Sequence, residues 1–117
     1  MRTLLLAITL VLGLVVPAAA DDLADARAFI AKQVAQIKKS DVAGLRAGFT
    51  QRLQDRITED NVKKAQAEVG KLTLNDLVES VTPVDKDSLK IKMKGGRTLT
   101  TLVKVDGVWK ADTVWFK

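Results

Sequence analysis

The 117-residue chain has no cysteine, no histidine and no tyrosine, and only two prolines, two tryptophans and three phenylalanines. Each absence removes a class of chemistry. Without histidine or cysteine there is no Ser-His-Asp or Cys-His triad, and no zinc or copper site built on nitrogen or sulfur. Without tyrosine there is no phenolic donor for an oxyanion. Without cysteine an exported chain has to hold itself together by packing alone, which suits a bacterial envelope better than a small animal secreted scaffold. No pattern asks for a cofactor or a metal. Gly95-Gly96 lacks the strand-to-helix setting of a phosphate loop and reads as a hairpin turn.

What is present begins with a leader. Arg2 is a short charged start, and Leu4–Val16 is an apolar run interrupted only by Thr9 and Gly13. Pro17 and Ala18-Ala19-Ala20 supply the helix breaker and small-residue processing site of a secretory signal. The run is shorter than the roughly 20 residues that span a bilayer. Cleavage near Ala20 is therefore expected over retention as an anchor, and a periplasmic or extracellular location follows. Membrane contact would come only through an uncleaved leader. No cysteine follows the run, which excludes a bacterial lipoprotein. Residues 21–117 are then one small domain. The whole chain carries 19 basic and 14 acidic residues, a net +5 at pH 7. That mild bias is compatible with anionic surfaces and selects none of them.

The stretch Leu89–Lys117 alternates, turns at Gly95-Gly96, alternates again, turns at Asp106-Gly107 and ends strongly apolar. It predicts three consecutive antiparallel strands. A three-residue loop Lys94-Gly95-Gly96 would set Ile91 opposite Leu99 and Lys92 opposite Thr98, so that Leu99, Thr101, Val103 and Val105 share the apolar face. A matching loop Val105-Asp106-Gly107 would bring that face beside Trp109, Ala111 and Trp115. The last strand is apolar on both sides, which predicts an interior or doubly covered position. Upstream, Leu23, Ala26, Ile30, Val34 and Ile37 recur at helical spacing over Leu23–Lys39. Ser40-Asp41 restarts a short helix, Val42–Gly48. Thr58 caps a third, with Val62, Ala65 and Val69 inward and Gly70 after its last turn. Thr73-Leu-Asn-Asp76 has the character of a capping box. Val81 and Pro83-Val84 read as an edge strand, because proline cannot donate to a central ladder. Helices followed by about four antiparallel strands define an α+β domain, a curved sheet packed on a long helix.

A long first helix, the pattern Lys-Ser-Asp-Val…Leu…Phe-Thr over 39–50 and the closing Val-Asp-Gly-Val-Trp-Lys-Ala-Asp over 105–112 resemble the nuclear transport factor 2-like superfamily, the cystatin-like α+β roll, and within it the small secreted bacterial members of unknown function. The resemblance implies a sheet that curls round the first helix and leaves a cone-shaped pocket. The usual roll has a longer sheet, so this chain would be a trimmed example. Members are enzymes, ligand binders or dimerisation modules, so the fold does not choose among them.

Candidate site residues fall into three groups. Trp109, Trp115 and Phe29 are the large side chains that could line an apolar ligand pocket. Lys90, Lys92 and Lys94 form a one-sided stripe, either an anionic-surface site or a solvating face that keeps a strand unsociable. No aromatic is interleaved with these lysines, which argues against nucleic acid. Among carboxylates Asp76 and Glu79 precede the sheet, and Asp112 follows the Trp109 strand. The family's isomerases use a pocket carboxylate as base with acid and tyrosine donors opposite, and those partners have no match here. The expectation is an exported, non-enzymatic binding domain for a small apolar ligand or a partner protein, with sheet-to-sheet pairing of two copies as a further option. The alternative is a small acid/base isomerase or hydratase using Asp112.

Overall fold

A computed structural model describes residues 18–116. The expected leader and its processing site lie outside the described residues, apart from the helical backbone of 18–20. The order is α1 (Ala18–Lys38), α2 (Val42–Ala47), a 3-10 helix (Gln51–Arg56), α3 (Glu59–Val69), α4 (Leu74–Leu77), then β1 (Ser80–Asp85), β2 (Ser88–Lys92), β3 (Thr98–Val105) and β4 (Val108–Ala111). The strands form one antiparallel sheet in the order β1-β2-β3-β4. The domain is α+β, with its helices packed on one face of an open four-stranded meander. Among the described residues no helix is long and apolar enough to cross a membrane.

The helices follow from their own sequences. Ala26, Ile30, Gln33 and Ile37 form the buried stripe of α1, the i, i+3, i+4 spacing of one helix face. Gln33 takes the inward place that apolar content alone assigned to Val34, which is half-buried. Asp41 caps α2 by accepting from the Gly44 N–H at 3.0 Å, and Thr58 caps α3 by accepting from the Asn61 N–H at 3.2 Å. Val62, Ala65 and Val69 are buried as their spacing predicts. The Gln66 amide ties α3 to the end of α1, donating to the Ile37 carbonyl at 2.9 Å and the Ser40 hydroxyl at 2.7 Å. The capping box at α4 is complete: the Asp76 N–H reaches the Thr73 hydroxyl at 3.1 Å, and the Thr73 N–H reaches the Asp76 carboxylate at 3.0 Å.

The first hairpin closes as expected around Lys94-Gly95-Gly96, with the Met93 N–H bonded to the Arg97 carbonyl at 2.8 Å and Lys92 opposite Thr98. One pair further on the expected register fails. A bulge lies between Ile91 and Lys92, and Ile91 faces Thr100 instead of Leu99. An inserted residue flips the side chains beyond it to the other face. Thr100 and Leu102 are therefore buried, whereas Thr101 and Val103 are half-buried and Val105 is exposed. The second turn is also corrected. Val105 pairs with Val108, leaving a two-residue Asp106-Gly107 turn with φ of 52° and 79°, the left-handed pair that matches strand twist. Leu102 accordingly faces Ala111 and Lys104 faces Trp109.

The last strand is not interior. β4 is the end of the sheet order, and beyond it Phe49 forms a parallel bridge to Ala111. That bridge is fixed by Thr50 N–H to Ala111 carbonyl at 3.0 Å and Ala111 N–H to Gly48 carbonyl at 2.8 Å. After Ala111 the chain leaves the sheet, so Trp115 shares no strand with Trp109. The segment 112–116 turns back onto the core. Thr113 meets the buried Thr100 hydroxyl at 2.7 Å, the Trp115 Nε1–H donates to the Gln33 Oε1 at 2.7 Å, and Phe116 packs edge-on against Phe49 with centroids 5.9 Å apart. Pro83 sits in β1 at the opposite edge, as expected.

Candidate functional site

A cleft lies between α1, α2 and the tip of the β3–β4 hairpin, with a volume of about 650 Å³. Its walls are the outer side of α1 from Asp25 to Gln36, the end of α2 at Gly44, Ala47 and Gly48, and the hairpin tip from Lys104 to Lys110. Phe29 comes from the middle of α1, at the border of its buried stripe, and Trp109 from β4; both are half-buried and both line the cleft. Gln33 borders it as well, and Gly48 lies close behind. A Cβ on Gly48 would stand 2.7 Å from the Gln33 amide nitrogen, so glycine lets α2 approach α1 there.

Cations surround the aromatics. Lys32 lies on α1 one turn from Phe29, and Lys104 and Lys110 flank Trp109. The Lys104 ammonium stands 4.9 Å from the centroid of the Trp109 ring. Lys110 reaches over the sheet edge and donates to the Ala47 carbonyl at 2.5 Å. Asp25 is the acidic side chain lining the cleft.

Trp115 does not join Phe29 and Trp109. It lines a second pocket of about 340 Å³ with Leu72, Leu77, Met93 and Leu99, where Glu68 and Arg97 stand at the rim. Gln33 separates the two, touching the first cleft while accepting the Trp115 N–H. The expected aromatic trio is thus divided two and one.

Asp112 borders neither cavity. Its carboxylate accepts the Thr50 hydroxyl at 3.0 Å and an Arg52 guanidinium N–H at 3.1 Å, and Arg52 also donates to the Asp112 carbonyl at 2.8 Å. The Asp112 side chain is 36% exposed. This arrangement clamps the 3-10 helix to the end of β4. Glu79 is exposed at the entry to β1. Lys90 and Lys92 lie on the outer face of β2, opposite Thr101 and Thr98. Lys94 belongs to the loop and stands 3.9 Å from Asp76, so the stripe ends in an ion pair.

The Thr73 N–H, joined by the Thr73 hydroxyl and then by Lys94, holds the Asp76 carboxyl below its ordinary range. A depressed folded pKa means stabilisation that is complete above the unfolded value of about 3.9 and is lost as pH falls through the lowered value. Asp76→Asn should therefore destabilise at neutral pH, and its stability should converge on that of the parent as pH drops below about 4. Denaturant melts of the two proteins across that range check this, and a constant difference would contradict it.

Sequence reasoning missed the polar residues of the cleft, Asp25, Lys32, Gln33, Lys104 and Lys110. Gln33 was signalled by its spacing between Ile30 and Ile37. Lys104 shares its parity with Thr100 and Leu102, which the bulge beside Ile91 turns to the core side, and the two-residue turn sets it opposite Trp109. The sequence matches no protein-family model and no curated protein.

Proposed function

We propose that the chain is an exported, non-enzymatic binding domain of the nuclear transport factor 2-like kind, and that it takes a small apolar ligand in the cleft beside α1. The observation that carries this reading is the pairing of two half-buried aromatics, Phe29 and Trp109, in a concavity of about 650 Å³. A cleft of that volume suits a small organic molecule, and aromatic walls provide its apolar contact. Export rests on the Leu4–Val16 run and the Ala18-Ala19-Ala20 site. The acid/base alternative draws little support from Asp112, which is engaged by Arg52 and Thr50 away from the cleft.

A protein partner is the second occupant worth testing. Val105 and Val108 face each other at the hairpin tip and are 43% and 53% exposed, an apolar rim next to the cleft.

Titration with a neutral aromatic probe, naphthalene-2-carboxamide, tests the ligand reading. Saturable quenching of tryptophan emission and a raised melting temperature are expected, with affinity falling about tenfold or more in Phe29→Ala, the loss expected for roughly one apolar contact face. No saturable response at millimolar probe would remove the apolar-ligand reading and leave the protein partner.

A further inference from the structure

We infer that the cleft's ligand is an amphiphilic anion: an apolar, ring-sized body carrying one carboxylate. This rests on the ligand reading above and adds its charge. Four ionisable side chains line the cleft, three lysines and one aspartate, so its wall is net positive. The lysines are not equivalent. Lys110 has its ammonium on the Ala47 carbonyl, which leaves Lys32 and Lys104. Among the described residues neither has a carboxylate within ion-pairing distance; the ion pairs there are Arg52–Asp112 and Lys94–Asp76.

The setting of Lys104 is the decisive detail. Its ammonium rests 4.9 Å from the Trp109 centroid, and the ring quadrupole attracts it without neutralising it. An exposed lysine ordinarily spends rotamer entropy when it captures an anion. Here the cross-strand pairing of Lys104 with Trp109 holds the cation at the cleft before any ligand arrives, which lowers that cost. The charge also sits at the edge of the apolar wall, so one molecule can meet both. A neutral ligand would leave these cations unused. A cationic ligand would meet Lys32 and Lys104 as like charges, with Asp25 alone to offset them. A single carboxylate on an apolar body fits both halves of the cleft.

A matched pair of probes separates this inference from the reading beneath it. Naphthalene-2-carboxylate and naphthalene-2-carboxamide have nearly the same shape and differ in charge. Calorimetric titration of the full-length chain should show the acid binding about tenfold tighter than the amide, the size of one charge-assisted contact at a half-open site. The preference should shrink with added salt, because exposed charges are screened within about 8 Å at physiological ionic strength. It should collapse toward unity in Lys32→Gln/Lys104→Gln and persist in Lys90→Gln, whose lysine lies on the outer face of the sheet. Because the readout is the acid-to-amide ratio within each protein, a general loss of stability does not imitate the result. Equal binding of acid and amide would overturn the anion inference while leaving the ligand reading standing. Binding of neither would overturn both. A preference that survives in the double variant would overturn the assignment to Lys32 and Lys104.

Discussion

Phe49→Ala should destabilise the domain by about 3–5 kcal/mol, the usual loss for a buried phenylalanine. Phe49 is 0% exposed and joins three parts of the structure. Its backbone bridges Ala111 on the edge strand, its ring meets Phe116 edge-on at 78°, and it lies in the short link between α2 and the 3-10 helix. Alanine keeps the bridge and removes the ring, leaving a void that fixed backbone on both sides cannot close. A domain of this size has on the order of 5–10 kcal/mol in total, so the variant should unfold at a markedly lower denaturant concentration with little change in slope. A loss below about 1 kcal/mol would mean that Phe49 is not the packed junction described above.

Gln33→Leu should cost about 1–3 kcal/mol despite the gain in apolar surface, because it strands a polar group. Gln33 is 2% exposed and accepts the Trp115 indole N–H at 2.7 Å; its amide also approaches the Gly48 carbonyl at 3.5 Å. Leucine leaves the half-buried indole N–H without that acceptor. The double variant Gln33→Leu/Trp115→Phe removes the stranded donor as well. Its loss should be smaller than the sum of the two single losses by about 0.5–3 kcal/mol, the range for directly coupled neighbours. Strict additivity across the four proteins, measured by denaturant titration, would show that the bond contributes nothing.

The helical half of the fold was readable because its signals are local. Thr58 with Val62, Ala65 and Val69, and Thr73 with Asp76, each specify a cap or a face within a few residues, and the structure follows them. The sheet was readable in order and direction but not in register. On β3 the more apolar parity, Thr101, Val103 and Val105, faces outward or to the exposed tip, and the parity holding Thr100 and Leu102 faces the core. Periodicity favoured the first set. The bulge beside Ile91 decided otherwise, and no alternation pattern announces an inserted residue. Thr100 tolerates burial because Thr113, from outside the sheet, satisfies its hydroxyl. The cleft was half legible for the same reason. Phe29 and Trp109 stand out by size, whereas Lys104 becomes a cleft residue only once the bulge turns its parity of β3 inward and the two-residue Asp106-Gly107 turn sets it opposite Trp109.

The return of 112–116 onto the core ties the far ends of the described chain together. Trp115 and Gln33 are separated by 82 positions, and ordering so long a loop has to precede the contact that rewards it. Residues 18–111 hold every helix and strand among the described residues, yet the Gln33 acceptor and the Phe49 ring edge find their partners only in Trp115 and Phe116. The five residues that follow close both at once. Closure of the core thus depends on a segment that belongs to no helix or strand and that joins α1 across a separation of 82 positions.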